Sequence, residues 1–355
     1  MIKRILIANR GEIAVRVIRT CKDMGIETVA VYSECDKYAL HTQMADMAVC
    51  IGPNSPRDSY LNMKNIISAA VLTGAEAIHP GFGFLSENSK FVRMCNECNI
   101  IFIGPDADSI DMMGDKAKAK EAVKASKIPV IEGSIGKTKD VFEAQKIADK
   151  IGYPVMIKAA AGGGGRGMRL VFNKESFKQS YEIARAEAAA SFSDDSMYIE
   201  KFIENPSHIE VQILADNYGN VVYLGERDCS IQRRNQKVLE EAPSIKIDNE
   251  LRRKLGETAV KVAKAVNYKN AGTIEFLLDK NRNFYFMEMN TRIQVEHPVT
   301  EMTTGIDIVK EQIKIASGEK LEITQKDVNI SGHAIECRIN AEDPDKDFKP
   351  CPGTI

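Results

Sequence analysis

The stretch 271–300, AGTIEFLLDKNRNFYFMEMNTRIQVEHPVT, holds the densest set of side chains that could do chemistry. It contains carboxylates, amides and a guanidinium within thirty positions. Two runs rich in aromatic and aliphatic residues, 273–278 and 283–289, flank the turn-forming residues 279–282. The pattern therefore predicts a hairpin followed by a polar loop.

Pairing across this hairpin places two carboxylates on one face. If residues 279–282 form the loop, Thr273 pairs with Glu288, and Glu275 lies one diagonal step from Glu288. Asn290 continues the series on that face. Two carboxylates and an amide oxygen suit Mg²⁺ or Mn²⁺ bridging the phosphates of a nucleotide. For such a pair taken alone, the alternative is two solvated glutamates on an exposed sheet face.

The residues that follow the hairpin favour a site over a solvated edge. Arg292, Gln294 and Glu296 alternate after Asn290, so charged and amide groups recur at a period of two without apolar compensation. A solvated edge has no need of such a series.

Composition limits the classes of protein that can carry this site. The chain has 355 residues, of which 44% are hydrophobic and 28% charged, and its formal net charge is −2. These values are typical of a soluble globular protein of two or three domains, and they give no overall attraction to nucleic acid or membrane. The N-terminus resembles a first β-strand and not a secretory signal, so we expect a cytoplasmic location. Eight cysteines without framework spacing indicate reduced thiols, and Cys95-x-x-Cys98 alone is a weak indication of a metal or redox site.

The first third of the chain alternates short apolar strands with helical patterns. We predict strands over 3–8, 27–32, 47–51, 75–78 and 100–103, with helices between them. Such alternation is typical of an α/β fold with a doubly wound parallel sheet.

A second unit begins near residue 114 and contains a glycine-rich run, Ala159–Gly167. Four successive glycines are costly to order, but they allow backbone N–H groups to lie against a ligand. Lys158, directly before the run, carries a charge suited to phosphate oxygens. The spacing excludes a P-loop, and the run is interpreted as a mobile lid over phosphates, with a flexible linker as the alternative. A later charged run, 230–243, is by composition alone a solvated loop.

Six motifs together resemble biotin carboxylases, which are ATP-grasp enzymes. They cover the whole chain and are specific in combination: IANRGEIA at 7–14, HPGFGFLSEN at 79–88, MGDK at 113–116, KAAAGGGGRGM at 158–168, ERDCSIQRR at 226–234 and EMNTRIQVEHPVTE at 288–301.

The resemblance implies an N-terminal biotin carboxylase domain at 1–113, an ATP-grasp domain at 114–330 with a mobile lid at 131–203, and the beginning of a C-terminal domain at 331–355. Family members continue for on the order of 100 further residues. We therefore expect the chain to stop inside its C-terminal domain.

The resemblance also implies a nucleotide site for ATP with two Mg²⁺ or Mn²⁺ ions. Glu275, Glu288 and Asn290 would bind the metal. The residues implied for the nucleotide are Lys116, Lys158, Gly164, Gly165, Glu200, Lys201, Phe202, Ile203, His208, Gln232, Asn235, Glu275 and Glu288. At position 235 the family usually has histidine and this chain has Asn235, so we expect a changed affinity for the nucleotide.

A bicarbonate and biotin site is implied next to the nucleotide. Glu296 would remove the bicarbonate proton, and Arg338 would contact bicarbonate and stabilise the biotin enolate. The residues implied for bicarbonate and biotin are Lys237, Arg292, Gln294, Val295 and Arg338, and those implied for catalysis are Lys237, Arg292, Glu296 and Arg338.

The implied activity is carboxylation of biotin through carboxyphosphate, as the first half-reaction of a biotin-dependent carboxylase. Acetyl-CoA carboxylase of fatty acid synthesis is the expected complex, with propionyl-CoA and pyruvate carboxylases as alternatives. No Ala-Met-Lys-Met motif occurs, so biotin would sit on a separate carboxyl carrier protein, with carboxyltransferase subunits as further partners and a homodimer in the full-length form. The alternatives are another ATP-grasp carboxylate ligase, or a nucleotide-binding fragment without turnover.

Overall fold

The computed structural model describes residues 2–134, 136–159, 167–192, 194–234, 236–351 and 353. The side chains at 116, 117, 191 and 192 lie outside this description. The described residues build a parallel-sheet unit followed by a larger unit around an antiparallel sheet. No helix among them is long and apolar enough to cross a membrane.

The N-terminal unit is a five-stranded parallel sheet with strand order β3-β2-β1-β4-β5. The chain runs outward from β1 in one direction and then returns to the other side, which is the predicted doubly wound arrangement. Its elements are β1 Arg4–Ile7, α1 Gly11–Asp23, β2 Glu27–Ser33, α2 Leu40–Met44, β3 Met47–Gly52, α3 Met63–Thr73, β4 Ala77–His79, α4 Ser89–Glu97, β5 Ile101–Phe102 and α5 Ala107–Gly114.

The second unit contains a six-stranded antiparallel sheet, β13-β12-β9-β10-β11-β14, and a three-stranded sheet, β7-β6-β8. Its elements are α6 Lys116–Ala125, α7 Val141–Ile151, β6 Val155–Ala159, β7 Met168–Val171, α8 Phe177–Phe192, β8 Met197–Lys201, β9 Ser207–Ala215, β10 Val221–Arg233, β11 Gln236–Ala242, α9 Asn249–Ala265, β12 Asn270–Leu278, β13 Phe284–Asn290, α10 His297–Thr304, α11 Ile308–Ala316, β14 Ala334–Cys337, β15 Glu342–Asp343 and β16 Lys349–Pro350. The domain boundaries expected from the sequence stay predictions.

Two apolar clusters hold the second unit together and join it to the first. Helix α9 buries Leu255 and Val262 against Ile213 and Ile274 of the large sheet. A separate cluster contains α1 of the N-terminal unit together with α11 of the second, so the two units share a continuous core. A shared core fixes the loops at the carboxyl ends of the parallel strands against the second unit.

The predicted register of the β12–β13 hairpin is wrong, although its two carboxylates do share a face. Arg282 adopts a left-handed backbone (φ 67°), and Asp279 N–H donates to Asn283 O at 2.9 Å, so the loop has three residues and not four. A bulge between Phe286 and Glu288 then shifts the pairing again. As a result Glu275 lies directly opposite Glu288.

Two further elements differ from the sequence-based expectations. The charged run 230–243 is not a solvated loop, because most of it forms the β10–β11 hairpin, whose strands pair with β9 and β14. The polar loop after β13 is short, because α10 begins at His297. Both elements carry side chains of the candidate site. Because their composition is polar, the sequence pattern did not indicate a strand and a helix there.

Candidate active site

Glu275 is the carboxylate around which the site is built. It lies on β12, and its side chain is 5% exposed. Oε1 accepts from Asn290 Nδ2 at 2.8 Å, Gln294 Nε2 at 3.0 Å and Lys237 Nζ at 3.0 Å, and Oε2 contacts His208 Nε2 at 2.6 Å. Burial alone would raise the pKa of Glu275, but the contacts with His208 and Lys237 lower it below its usual value. The group is therefore a fixed negative charge at neutral pH.

Lys237 brings three carboxylates together from three different elements. Its ammonium contacts Glu210 on β9, Glu275 on β12 and Glu296 before α10. Burial alone would lower the pKa of Lys237, but the three negative charges raise it well above its usual value. The lysine therefore remains an ammonium ion and offsets repulsion among the carboxylates.

Glu296 lies between two cations. Its Oε1 accepts from Lys237 Nζ at 2.6 Å and its Oε2 from Arg338 at 3.0 Å, while the carboxylate is 2% exposed. Arg338 follows β14 and is also held by Glu240 on the neighbouring strand, with 2.7 Å between Nε and Oε1. The resulting arrangement is a buried carboxylate flanked by donors that an incoming anion can share.

Arg292 is held by a residue of the N-terminal unit. Glu87, in the loop before α4, accepts from Arg292 Nε at 2.9 Å and from Thr291 N–H at 3.1 Å. Arg292 also donates to Asn290 Oδ1 at 3.2 Å. The guanidinium is thus positioned from both units.

Glu200 organises the other end of the site. Its carboxylate pairs with Lys158 at 2.6 Å and with Lys120. Burial alone would raise the pKa of Glu200, but the two ammonium groups lower it to about 2. Two lysines next to one carboxylate give this end of the site a local charge of +1, which suits phosphate.

A cavity of about 2050 Å³ connects the two ends. Most of the side chains predicted from the sequence line it, together with Lys120, which the sequence analysis did not single out. The predicted residues at its wall are Lys158, Glu200, His208, Gln232, Lys237, Glu275, Glu288, Asn290, Arg292, Gln294, Val295, Glu296 and Arg338.

Several predicted residues stand apart from this lining. Lys201 donates its ammonium to the carbonyls of Gly152 and Tyr153 at 3.0 Å each, so its side chain is turned away from the cavity. Phe202 and Ile203 follow it in the chain and are not among the described lining residues either. The side chain of Lys116, and all of Gly164, Gly165 and Asn235, lie outside the described residues.

The oxygen donors at the hairpin fit a divalent cation. Glu275 and Glu288 face each other across β12 and β13, both line the cavity, and Asn290 lies on the same face. Hard oxygen ligands of this kind suit Mg²⁺ or Mn²⁺. His208, Glu210 and Glu275 also come within ligand distance of one another, but there the Lys237 ammonium contacts both carboxylates and already supplies the positive charge.

Besides Lys120, the sequence analysis did not predict four residues of the charge network: Glu87, Glu210, Arg227 and Glu240. One signal could have found Glu210. His208, Glu210 and Gln212 alternate along an otherwise aliphatic strand, and in the structure they pair with residues of β12 on the site face. For Glu87 and Arg227 no local pattern exists, because their partners are distant in the chain.

Comparisons with known proteins show the family of the chain. The family model described as "Biotin carboxylase, N-terminal domain" matches residues 1–110, and the one described as "Carbamoyl-phosphate synthase L chain, ATP binding domain" matches residues 115–324. Among curated relatives, a biotin carboxylase of Nostoc sp. is 61% identical over 352 residues, which are 99% of this chain and 79% of the relative.

Solved structures give the same result. A biotin carboxylase from Campylobacter jejuni, in complex with a nucleotide, matches with a TM-score of 0.92 at 54% identity, covering 99% of this chain and 78% of that one. The biotin carboxylase domain dimer of Hydrogenobacter thermophilus 2-oxoglutarate carboxylase, with MgADP, ADP and bicarbonate, matches with a TM-score of 0.91 at 55% identity, covering 100% and 80%. The chain belongs to the biotin carboxylase family of ATP-dependent ligases.

Proposed function

We propose that this chain uses ATP and bicarbonate to carboxylate biotin carried on a separate protein. The observation that carries the proposal is the position of Glu296, a buried carboxylate between Lys237 and Arg338 at the end of the cavity that holds the Glu275–Glu288 pair. On this proposal, a base, an anion site and a metal–phosphate site would lie along one cavity. The bicarbonate and MgADP of the Hydrogenobacter relative support this choice of ligands.

ATP would occupy the cavity with its phosphates toward Lys158 and Lys120. Glu275, Glu288 and Asn290 would hold Mg²⁺ or Mn²⁺, which neutralises charge on the transferring phosphoryl group when bound. For the nucleotide we propose the residues expected from the sequence, with Lys201, Phe202 and Ile203 contributing through their backbone.

Bicarbonate would bind between Lys237, Arg292 and Arg338. In the structure, Lys237 donates to Glu296, and Arg292 donates to Glu87 and Asn290. An arriving anion would therefore share the donors of these cations. Arginine matches a planar oxyanion with paired donors. Once bicarbonate takes part of the Lys237 and Arg338 contacts, a Glu296 oxygen is left to accept its proton. The deprotonated oxygen would then attack the γ-phosphorus of ATP, and the bond from that phosphorus to the bridging oxygen would break, so that ADP leaves.

The product of that attack is carboxyphosphate, which breaks down to CO₂ and phosphate. Phosphate would accept the N1′ proton of biotin, and Arg338 would stabilise the resulting enolate. Carboxybiotin then forms by attack of N1′ on CO₂. Arg338 suits both steps because Glu240 and Glu296 hold its guanidinium in place.

For the wider assembly we propose acetyl-CoA carboxylase of fatty acid synthesis, with a biotin carboxyl carrier protein, carboxyltransferase subunits, a homodimer and a cytoplasmic location. The Nostoc relative, named simply biotin carboxylase, supports a separate subunit, whereas the Hydrogenobacter relative belongs to a 2-oxoglutarate carboxylase. Transfer of labelled carboxylate from carboxylated carrier to acetyl-CoA, against 2-oxoglutarate and pyruvate, distinguishes these assemblies.

The deciding experiment measures bicarbonate-dependent release of ADP, with and without free biotin, for the wild-type chain and for Glu296→Ala. We expect biotin to stimulate release and the substitution to reduce it by at least about 100-fold. Glu257→Ala, an exposed carboxylate on α9, is the control and should leave the rate unchanged. ADP release that ignores biotin but needs another acceptor would indicate a different carboxylate ligase. ATP binding without turnover would indicate a nucleotide-binding fragment.

A further inference from the structure

Arg227 on β10 is a fully buried cation beside the candidate site that does not line the cavity. A guanidinium has five N–H donors, and here all five are used. Nε donates to Glu210, and the two terminal nitrogens donate over distances of 2.7–3.2 Å. The five acceptors are Glu210, Gln212, Thr273, Thr300 and Gln294.

The contact to Gln294 decides how that amide is oriented. Arg227 donates to Gln294 Oε1 at 2.7 Å, and arginine has no acceptor to offer. The amide must therefore present its oxygen to Arg227. Its NH₂ group is left to point toward the cavity, where it donates to Glu275 Oε1 at 3.0 Å.

The contact to Glu210 reaches a second site residue. One oxygen of Glu210 accepts from Arg227 and the other from Lys237, and this carboxylate is fully buried. Burial alone would lower the pKa of Arg227, but the charges of Glu210 and Glu296 more than offset it, so the guanidinium stays charged. The charge of Arg227 thus fixes the carboxylate that holds Lys237.

We propose that Arg227 is a positioning residue for bicarbonate capture, which fixes Gln294 as a hydrogen-bond donor and, through Glu210, holds Lys237 next to Glu296. The identity of the anion rests on the proposed function. An anion needs donors from the protein, so an amide turned the other way would present an oxygen that repels bicarbonate. Lysine has three donors and lacks the planar fork, so it cannot replace all five contacts.

The test compares Arg227→Gln, Arg227→Lys and Gln294→Leu with the wild-type chain in bicarbonate-dependent ADP release. We expect Arg227→Gln to raise KM for bicarbonate about 10- to 100-fold, with KM for ATP changed by less than about twofold. Arg227→Lys should recover part of this loss. An equal rise in KM for bicarbonate and in KM for ATP, or no change in KM for bicarbonate, would overturn the proposal.

A double-mutant cycle separates positioning from a general structural effect. If Arg227 acts through Gln294, the effects of the two substitutions on KM for bicarbonate should not multiply. The rise in KM of the Arg227→Gln/Gln294→Leu variant should be smaller, by a factor of at least about five, than the product of the rises in the two single variants. Fully multiplicative effects would show that the two residues act independently.

A milder pair of variants covers the case in which Arg227 variants fail to fold. Thr300→Val removes one acceptor of Arg227 without touching the cavity lining, and we expect about a threefold rise in KM for bicarbonate. Thr303→Val, on the same helix, loses a buried hydroxyl that bonds only to backbone carbonyls, and KM should not change. Equal behaviour of the two variants would contradict the role of Arg227.

Failure of this inference can be told from failure of the proposed function. If the wild-type chain releases ADP in response to bicarbonate and the variants match it, only the inference about Arg227 fails. If the wild-type chain shows no bicarbonate response in ADP release or in thermal stability, the proposed function fails, and the inference fails with it.

Discussion

The ammonium of Lys237 holds together a cluster that its carboxylates alone would drive apart. Glu210, Glu275 and Glu296 approach it from separate elements, and each is nearly or fully buried. Without Lys237, Glu210 keeps Arg227 and Glu296 keeps Arg338, whereas Glu275 keeps three other contacts, so the set stays partly paired. On the proposed function, the cation would serve both folding and anion binding.

We predict that Lys237→Met lowers the free energy of unfolding by about 3 kcal/mol, because it leaves buried carboxylates with too few cations. ADP release should fall by at least about 1000-fold. Urea unfolding and the bicarbonate-dependent assay check the two effects. Lys254→Met, which removes an exposed pair with Glu250, is the control and should change stability by less than about 0.5 kcal/mol. Equal stability of the two variants would contradict the account.

A second prediction concerns pH and Glu336 on β14. Burial, with the charges of Glu240 and Glu296, raises the pKa of Glu336 from 4.5 to about 7, and Arg338 and Arg227 offset only part of this. The folded chain therefore binds this proton more tightly than the unfolded chain, and stability falls as pH rises from 4.5 through 7. Glu336→Gln removes the carboxyl group whose ionisation lowers the stability. The melting temperature of this variant should therefore exceed that of the wild type at pH 8 by about 1–3 °C.

Thermal unfolding at pH 5 and pH 8 checks this sign. The difference in melting temperature between Glu336→Gln and the wild type should shrink toward zero at pH 5, where Glu336 is largely protonated in the folded chain. Glu322→Gln, which removes an exposed carboxylate, is the control variant. A Glu336→Gln variant less stable than the wild type at pH 8 would refute the assignment.

At the scale of elements, the sequence predicted which residues share a face better than how their strands pair. The alternation from Glu288 to Glu296 follows from the chain itself. The register does not, because it depends on a left-handed Arg282 and on a bulge near Glu288, neither of which has a distinctive pattern here. The two changes together bring Glu275 directly opposite Glu288.

The β10–β11 hairpin shows why composition can mislead. By composition the run 230–243 indicated a solvated loop, yet Lys237 within it is largely buried. Its partners lie on β9, on β12 and directly before α10, between 27 and 59 positions away in the sequence. Only the assembled sheet turns these charges into a site, whereas the parallel sheet of the N-terminal unit could be predicted because strand and helix alternate locally.

A prediction at this scale concerns Gly133, which bridges to β8. A Cβ there would lie 2.4 Å from Ile199 O and 3.1 Å from Glu200 Cγ. Gly133→Ala should push this segment away from β8 and displace Glu200 with its two lysines. We expect a loss of about 1–3 kcal/mol in stability and about a tenfold rise in KM for ATP, measured by unfolding and by ADP release.

The matched control for this variant is Gly114→Ala. Gly114 ends α5, and apart from its chain neighbours and the backbone of its own helix, no atom of the described residues lies within 4 Å of its Cβ position. Alanine should be neutral or slightly stabilising there. If the two variants bind ATP equally well, the close approach of Gly133 to β8 does not matter for the nucleotide.

For the whole molecule, the N-terminal unit contributes to the site through Glu87. The shared core of α1 and α11 fixes the loop that carries Glu87, and its carboxylate holds Arg292 and Thr291 of the second unit. Two units that fold around separate sheets thus position one guanidinium. If Arg292 binds bicarbonate as proposed, this contact makes the N-terminal unit part of the anion site and not only a support for it.

We predict that Glu87→Gln raises KM for bicarbonate by about three- to tenfold, because glutamine has a single acceptor oxygen and cannot accept from both Arg292 Nε and Thr291 N–H. Stability should change by less than about 1 kcal/mol, since the pair is partly exposed. Steady-state ADP release at varied bicarbonate measures the first effect and urea unfolding the second. Glu97→Gln, exposed on α4, should match the wild type in both. A fall in KM for bicarbonate would show instead that Glu87 competes with the anion for Arg292, and the N-terminal unit would then restrain the site and not complete it.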